Sequence, residues 1–279
     1  MRSVLASVAF ALAMTGSAGA DVLSQIKDRG AIRLGVRADA PPFSYHNPGG
    51  APAGLAVAIC TKVVDLLARQ LSLTSLDVEY VTVTAKTRFP ALVEGRTDLH
   101  CGPASVTLKR RQILDFSILY FVDGAAAAVR EGSYETVFDR KSGRFGFVAG
   151  TTTEAVVADL IVRNAINANQ IAFPSHVAGL KALAANEVDV YFGDQAILLF
   201  QIAEQGLDDD LVVMEDVFSF EPYALAMKRG ESDLRLAVDR ALSAIYDQGL
   251  IYKMILDELG NYPLPPETRA LYQIVGLPE

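Results

Sequence analysis

The sequence predicts an α/β protein folded as two lobes around a ligand cleft, and three observations carry that prediction. From Asp21 onward, short apolar runs alternate with amphipathic helical patterns, the order that builds largely parallel sheets. Several apolar runs end in loops of Gly, Pro and hydroxyl residues, and ligands of open α/β sheets bind at such carboxyl ends. An alanine-rich stretch over 124–129 leaves the first α/β unit, and an apolar run over 218–227 returns to it. Two hinge crossings imply lobes that close around a ligand. The predicted divisions are 21–125 for the first part of lobe 1, 126–221 for lobe 2, and 222–279 for the return to lobe 1 and a tail.

The first twenty residues stand apart. Arg2, an unbroken apolar run over 4–14 and Ala18-Gly19-Ala20 form the pattern of an export leader, removed after Ala20. The run is too short to anchor the chain in a bilayer. Later, even the most apolar helical stretch, 55–73, is interrupted by Lys62, Asp65 and Arg69. The chain has 279 residues, with 25 basic against 33 acidic side chains and a net charge of -8 at pH 7. Loss of Arg2 makes that balance one unit more acidic, which argues against nucleic acid and anionic lipid as partners. Cys60 and Cys101 are the only cysteines. In an exported chain they are expected to pair, against the alternative of two buried thiols. Such a bridge would stabilise the fold by roughly 4 kcal/mol in the chain-entropy model.

Taken in order, 32–36 reads as a strand that runs into the stiff loop Arg37-Ala38-Asp39-Ala40-Pro41-Pro42-Phe43. The glycines after Pro48 suit a hairpin turn. Leu55, Ile59, Val63, Leu66, Leu67 and Leu71 fall on one helical face, opposite Lys62, Asp65 and Arg69. Strands follow over 78–83 and 99–101, with a helix beginning at Arg88 between them, and then over 115–117 and 120–122. In the second unit, strands over 145–148, 171–173, 188–192 and 211–213 accompany a helix over 177–185. After the return strand come amphipathic helices over 234–246 and 251–259. The proline-rich tail 261–279 is expected to lie along the surface.

Two segments have the chemistry of anion seats. In Cys101-Gly102-Pro103-Ala104-Ser105-Val106-Thr107, Thr107 suits the N-cap of a short helix over 108–113, with Ser105 just ahead of it. Arg110 can add a two-pronged grip on a carboxylate that Lys would not match. The competing reading is a helix start with a surface arginine. Gly150-Thr151-Thr152-Thr153-Glu154 offers a second helix N-terminus, with threonine hydroxyls as extra donors. Its competing reading is a capping box alone. Asp194 closes a strand, and His176 precedes a helix at the same sheet edge.

Much is missing from the sequence. It contains no G-x-S-x-G, H-E-x-x-H, G-x-x-x-x-G-K-[ST] or C-x-x-C motif. His46, His100 and His176 are scattered, so neither a metal site nor a cofactor is expected.

Nearly the whole chain beyond the leader resembles the periplasmic solute-binding proteins of ABC transporters in the polar amino-acid class. The resemblance is carried by Leu34-Gly35-Val36 with Pro42-Phe43-Ser44-Tyr45, by Arg88-Phe89-Pro90-Ala91-Leu92 and by Gly95-Arg96-Thr97-Asp98. It is carried further by Ser105-Val106-Thr107-Leu108-Lys109-Arg110 with Asp115-Phe116-Ser117, and by Gly150-Thr151-Thr152, Val188-Asp189 and Gly193-Asp194. It implies a periplasmic-binding-protein-like fold. It also implies that Arg110 holds a ligand α-carboxylate, assisted by Ser105, Thr151 and Thr152, and that Asp194 holds the α-ammonium. Arg88 and His176 resemble residues of the glutamate/aspartate-binding branch, and Arg37 stands where relatives that bind cationic amino acids place an acid; two arginines and a histidine as positive groups around one pocket imply L-glutamate or L-aspartate as ligand. Pro103 departs from a serine of that branch. The alternative for Arg37 and Arg88 is pairing with Asp39, Glu94 or Asp98, and for His176 it is the cap of its helix. The expected partner is a permease in the inner membrane, the expected location the periplasm and the expected state a monomer. Two other functions stay open. One is a cyclohexadienyl dehydratase-like enzyme using Glu154 or Asp194 as general acid, and the other is a ligand-binding signalling module.

Overall fold

Helix α1 (Val22–Arg29) starts under Asp21, whose carboxylate accepts the Ser24 N–H at 2.9 Å, and stops at Gly30 in the left-handed conformation. The computed structural model describes residues 21–133, 136–139, 142–260, 264 and 266–278. The expected leader, 1–20, lies outside the described residues. Lobe 1 continues with β1 (Ala31–Arg37), β2 (Asp39–Ala40), β3 (Ser44–His46), β4 (Pro52–Ala53) and α2 (Leu55–Gln70). It is completed by β5 (Asp77–Val83), α3 (Arg88–Val93), β6 (Leu99–Cys101) and β7 (Leu114–Asp123). Strands β3 and β4 pair as the hairpin expected around Pro48.

In α2, Leu55, Ile59, Val63 and Leu67 are fully buried, as the helical spacing predicts. They share one core with Leu234, Val238, Leu242 and Ile245. The Cys60–Cys101 disulfide ties α2 to β6 across 41 residues of chain. It therefore fixes the helix to the strand that delivers the first anion-seat segment.

Lobe 2 contains β8 (Ala125–Arg130), β9 (Ser142–Val148), α4 (Thr152–Arg163), β10 (Asn167–Phe173) and α5 (His176–Ala184). It ends with β11 (Val190–Asp194), α6 (Gln195–Glu204) and β12 (Leu211–Val213). The chain then returns through β13 (Glu221–Lys228) to α7 (Ser232–Asp247), α8 (Leu250–Leu259) and α9 (Pro266–Ile274). The first sheet has the order β5-β1-β6-β13-β7 and the second β10-β9-β11-β8-β12. In each, three strands run parallel, and the strand lying next to a crossing, β13 or β8, is antiparallel to both its neighbours. The sheets are thus mixed where the sequence predicted largely parallel ones, and the fold is two-lobed α/β.

The first crossing falls at Gly124. A β-carbon there would lie 2.2 Å from Val217 Cγ1 and 2.7 Å from the Ser219 carbonyl oxygen, so glycine is what lets the two limbs pass. The alanine run expected to be the hinge is instead an inner strand. Ala126 and Ala128 pack with Leu198 and Ile202 on one face of the sheet, and Ala127 and Val129 with Phe145 and Phe192 on the other.

Other expectations need correction. The helix over 108–113 is a single 3-10 turn, Arg110–Gln112, because β7 begins at Leu114 and leaves no room for an α-helical turn. The strands at 115–117 and 120–122 are one continuous β7. Helices α1 and α6 were not foreseen. The tail does not simply lie along the surface: in α9, Leu271 and Tyr272 are buried, and the Tyr272 hydroxyl donates to the Tyr120 carbonyl at 2.8 Å. Among the described residues no helix is long and apolar enough to cross a membrane.

Candidate functional site: a cleft of buried charges

The carboxyl ends of β1, β6, β9 and β11 face one another between the lobes, and they carry the side chains singled out in the sequence. Arg37, Arg88, Ser105, Arg110, Thr151, Thr152, His176 and Asp194 all line one cavity, together with Pro103, Thr153 and Ile197. Its free volume is about 20 Å³, room for roughly one water molecule. The lobes are drawn together by direct contacts. The Thr152 hydroxyl donates to Glu221 at 2.7 Å, Tyr223 donates to Asp194, and an Arg88 N–H reaches the Gly150 carbonyl at 3.4 Å.

The three arginines differ in their partners. Arg37 is buried, and its Nε donates to Asp39 at 2.7 Å, the pairing weighed as an alternative, but its Nη2 has no hydrogen-bond partner. Arg110 is held by the Ser105 carbonyl at 2.8 Å and lies over the Phe89 ring, 4.9 Å from its centre. The Thr107 hydroxyl accepts the Arg110 backbone N–H at 3.1 Å, as a cap would. Arg88 begins α3 and is 3% exposed. It too lies over the Phe89 ring, 4.5 Å from its centre, donates to the Ala85 carbonyl at 2.6 Å, and leaves Nε without a partner.

The alternative partners of Arg88 are occupied elsewhere. Asp98 is held by Arg29 and Arg33, each at 2.6 Å, and Glu94 by Arg96 at 2.8 Å. Burial pulls the Arg88 pKa well below the ordinary arginine value, and the Arg37 and Arg110 charges add to that shift. A guanidinium nevertheless stays protonated in proteins. Arg88 is therefore a buried cation with no carboxylate in hydrogen-bond contact, a costly arrangement unless something compensates it.

The acids of the cleft lie within reach of these charges: Asp194 and Glu221 act on Arg110, and Asp194 acts on Arg88. Asp194 ends β11, accepts from the Thr153 hydroxyl at 3.4 Å and from Tyr223, and its pKa is pushed up to about 6 by burial and then by Glu221. Asp123, at the first crossing, is also pushed well above the usual carboxylate range by burial and by Asp194. Glu221 begins β13, is buried, and accepts from the Ser219 hydroxyl at 2.6 Å as well as from Thr152.

Two sequence expectations change here. His176 was grouped with the arginines as a positive group, yet burial and the Arg37 charge lower its pKa to about 4, so it is neutral at pH 7. It does not cap α5, because the Ser175 hydroxyl takes that place. Its Nδ1 lies 3.2 Å from the Tyr191 hydroxyl. The close approach of that ring depends on Gly179, where a β-carbon would come within 1.9 Å of Tyr191 Cε2. The threonine hydroxyls of the second seat are not free donors either. Thr151 gives its proton to the Val148 carbonyl at 2.8 Å and Thr152 gives its own to Glu221. What the start of α4 still offers an anion is its first-turn backbone N–H groups. Glu154 is exposed and accepts the Gly150 N–H at 3.0 Å, which takes it out of the cleft.

The description of the bacterial extracellular solute-binding proteins, family 3, matches residues 32–257. The chain belongs to that family. It is 30% identical over 247 residues to an L-glutamate/L-aspartate-binding protein of Pseudomonas aeruginosa, covering 88% of this chain and 82% of that one. It is 31% identical over 210 residues to a glutamine-binding protein of Geobacillus stearothermophilus, covering 75% of this chain and 77% of the other. Among solved structures, the amino acid ABC transporter substrate-binding protein AbpA of Streptococcus pneumoniae, bound to L-arginine, superposes with a TM-score of 0.75. It is 21% identical and covers 84% of this chain and 97% of that one. In this family 3 chain, Phe89, Glu221, Tyr223 and Asp123 are the cleft-edge residues that sequence reasoning missed. Only Phe89 had a local signal, its place beside Arg88.

Proposed function

We propose that the chain is the periplasmic, monomeric binding component of an amino-acid ABC importer, released from its leader after Ala20, that takes up L-glutamate or L-aspartate and presents it to a membrane permease. The observation that carries the acidic ligand is Arg88, a buried cation in the cleft with no carboxylate in hydrogen-bond contact: of the acids whose charges reach it, Asp194 accepts from Thr153 and Tyr223, and Asp39 pairs with Arg37. A ligand side-chain carboxylate placed against Arg88 and the unpartnered Nη2 of Arg37 supplies the missing countercharge. The α-carboxylate goes to Arg110 and the first-turn N–H groups of α4, with Ser105 beside it, and the α-ammonium goes to Asp194. His176, neutral, serves as a hydrogen-bonding wall rather than a charge. The cavity is far smaller than an amino acid, so entry requires the lobes to part about Gly124 and the limb over 214–220.

A thermal-shift screen of residues 21–279 against the twenty amino acids and simple dicarboxylates tests this. A ligand that binds only the folded chain at a hundredfold excess over Kd stabilises it by about 2.7 kcal/mol. The expected result is a shift with L-glutamate and L-aspartate that exceeds that with L-glutamine. A shift with glutamine alone would return Arg37, Arg88 and His176 to a structural role.

A second reading rests on Asp194, whose pKa near 6 suits a general acid. It would make the chain a dehydratase acting on prephenate or arogenate. Binding is preferred because Asp194 is met by two hydroxyl donors, which suit a fixed carboxylate acceptor. Absorbance assays with prephenate and arogenate are expected to show no turnover above buffer.

A further inference from the structure

Glu221 lies at the end of the second crossing and does not itself line the cavity. Its two oxygens are both used, one by the Ser219 hydroxyl at 2.6 Å and the other by the Thr152 hydroxyl at 2.7 Å. Thr152 is the first residue of α4 on the opposite lobe, and it does line the cavity. A threonine hydroxyl has one proton and two lone pairs, and a carboxylate can only accept. Once the Thr152 proton points to Glu221, only lone pairs remain for the cleft. The Ser105 hydroxyl, 3.4 Å from Thr152 Oγ1, is then the donor of that pair.

The same accounting applies next door. Thr153 and Tyr223 both spend their protons on Asp194. Asp194 and the Thr152 oxygen therefore stand on the cavity as acceptors, while the arginines that share its lining supply donors. A carboxylate or a keto oxygen facing Thr152 Oγ1 would meet lone pairs. A primary ammonium, with three N–H donors, fits both acceptors.

We propose that Glu221 is a positioning residue that orients the Thr152 hydroxyl as an acceptor toward the cleft, and so makes a primary ammonium group a requirement of the ligand. This inference rests on the amino-acid-binding reading and adds to it the reason an amine-free analogue is refused. It also reverses the direction of the Thr152 hydrogen bond expected from the sequence, in which Thr152 donated to a carboxylate. Gln at 221 can turn its amide so that the NH2 donates to Thr152, which frees the hydroxyl proton for the cleft. Val at 152 keeps the shape and removes the acceptor.

The test is titration calorimetry on residues 21–279 with L-glutamate and 2-oxoglutarate, or with L-glutamine and 2-oxoglutaramate if the parent prefers the neutral amino acid. The quantity read is the ratio of the two dissociation constants within each protein. The Glu221→Gln substitution is expected to narrow that ratio at least tenfold, by weakening the amino acid and strengthening the oxo acid. The Thr152→Val substitution is expected to narrow it by weakening the amino acid alone, and it carries the test if the Glu221 variant fails to fold. A purely structural role for Glu221 would lower the melting temperature and weaken both ligands equally. Parent-like ratios in both variants overturn the proposal while leaving amino-acid binding intact. Narrowing in Thr152→Val but not in Glu221→Gln overturns the role of Glu221. A parent that binds no amino acid overturns the functional reading and this inference together.

Discussion

Arg33 and Arg37 lie on the same strand, β1, yet they have opposite surroundings. Arg33 grips Asp98 through two N–H groups and its own backbone N–H, with Arg29 on the same carboxylate. Lobe 2 repeats the device at the corresponding place: Arg144 holds Asp189 by its backbone N–H at 2.8 Å and by Nη2 at 3.1 Å, and the Asp189 N–H returns to the Arg144 carbonyl. Those pairs sit at the edge away from the cleft and close a strand to a following loop. At the cleft edge, Arg37 keeps one N–H group unpartnered and Arg88 meets no carboxylate. Cations of the first kind complete the architecture, and cations of the second kind are complete only with something between the lobes. Charge alone does not separate them; the location of the carboxylates does.

The comparison can be broken most sharply at Arg110. Its replacement by Ala is expected to weaken amino-acid binding by about 2 to 5 kcal/mol, the usual effect of removing one partner of a buried charge pair. Calorimetry that finds an unchanged affinity would remove Arg110 from the site. At the architectural edge, Asp98→Asn is expected to cost about 2 to 3 kcal/mol of stability in denaturant unfolding, since several buried hydrogen bonds lose their acceptor charge. Its affinity for ligand should stay near that of the parent. Arg88→Gln should do the reverse. Glutamate binding should fall by tenfold or more relative to glutamine, while the unfolding midpoint stays level or rises, because an uncompensated buried cation is gone. Equal losses for both ligands would mean that Arg88 does not read the ligand side chain.

Acid should act through Asp194 first. Its folded-state pKa near 6 means that a proton must leave before the carboxylate can hold an ammonium. Affinity is therefore expected to be flat above pH 7 and to fall by up to tenfold per unit below pH 6. The effect on stability is smaller because two groups oppose each other. Between about pH 4 and 6 folded Asp194 binds more proton than in the unfolded chain, so its contribution falls as pH rises. His176, with its pKa lowered from 6.5 to about 4, binds less proton than in the unfolded chain, so its contribution rises over the same window. In Asp194→Asn the opposing Asp194 contribution is removed, and the melting temperature should climb more steeply from pH 4 to 6 than in the parent.

The parts of this molecule that were legible in the sequence are those written locally. The α2 face, the hairpin at Pro48, the strand ends at Arg37 and Asp194 and the cap at Thr107 each follow from neighbours a few residues apart. The Cys60–Cys101 bridge followed from the compartment and from there being two cysteines. Helix α6 was missed because its run Ala196-Ile197-Leu198-Leu199-Phe200 is apolar almost all round and shows no stripe. The structure explains this, since Leu198 and Ile202 pack in the lobe 2 core while Ala196 and Ile197 reach the core of lobe 1. In the site, residue identities were legible but protonation and hydrogen-bond direction were not. His176 is neutral because of burial that only the fold creates. The Thr152 proton goes to Glu221, a residue 69 positions away in the sequence.

The most direct test of the central claim is titration calorimetry of residues 21–279 at pH 7.5 with L-glutamate, L-aspartate and L-glutamine. The buried Arg88 charge without a carboxylate contact and the unpartnered Nη2 of Arg37 predict that glutamate or aspartate binds at least tenfold more tightly than glutamine. Glutamine binding as tightly as either acid would show that Arg37 and Arg88 carry no ligand charge, and would contradict the account.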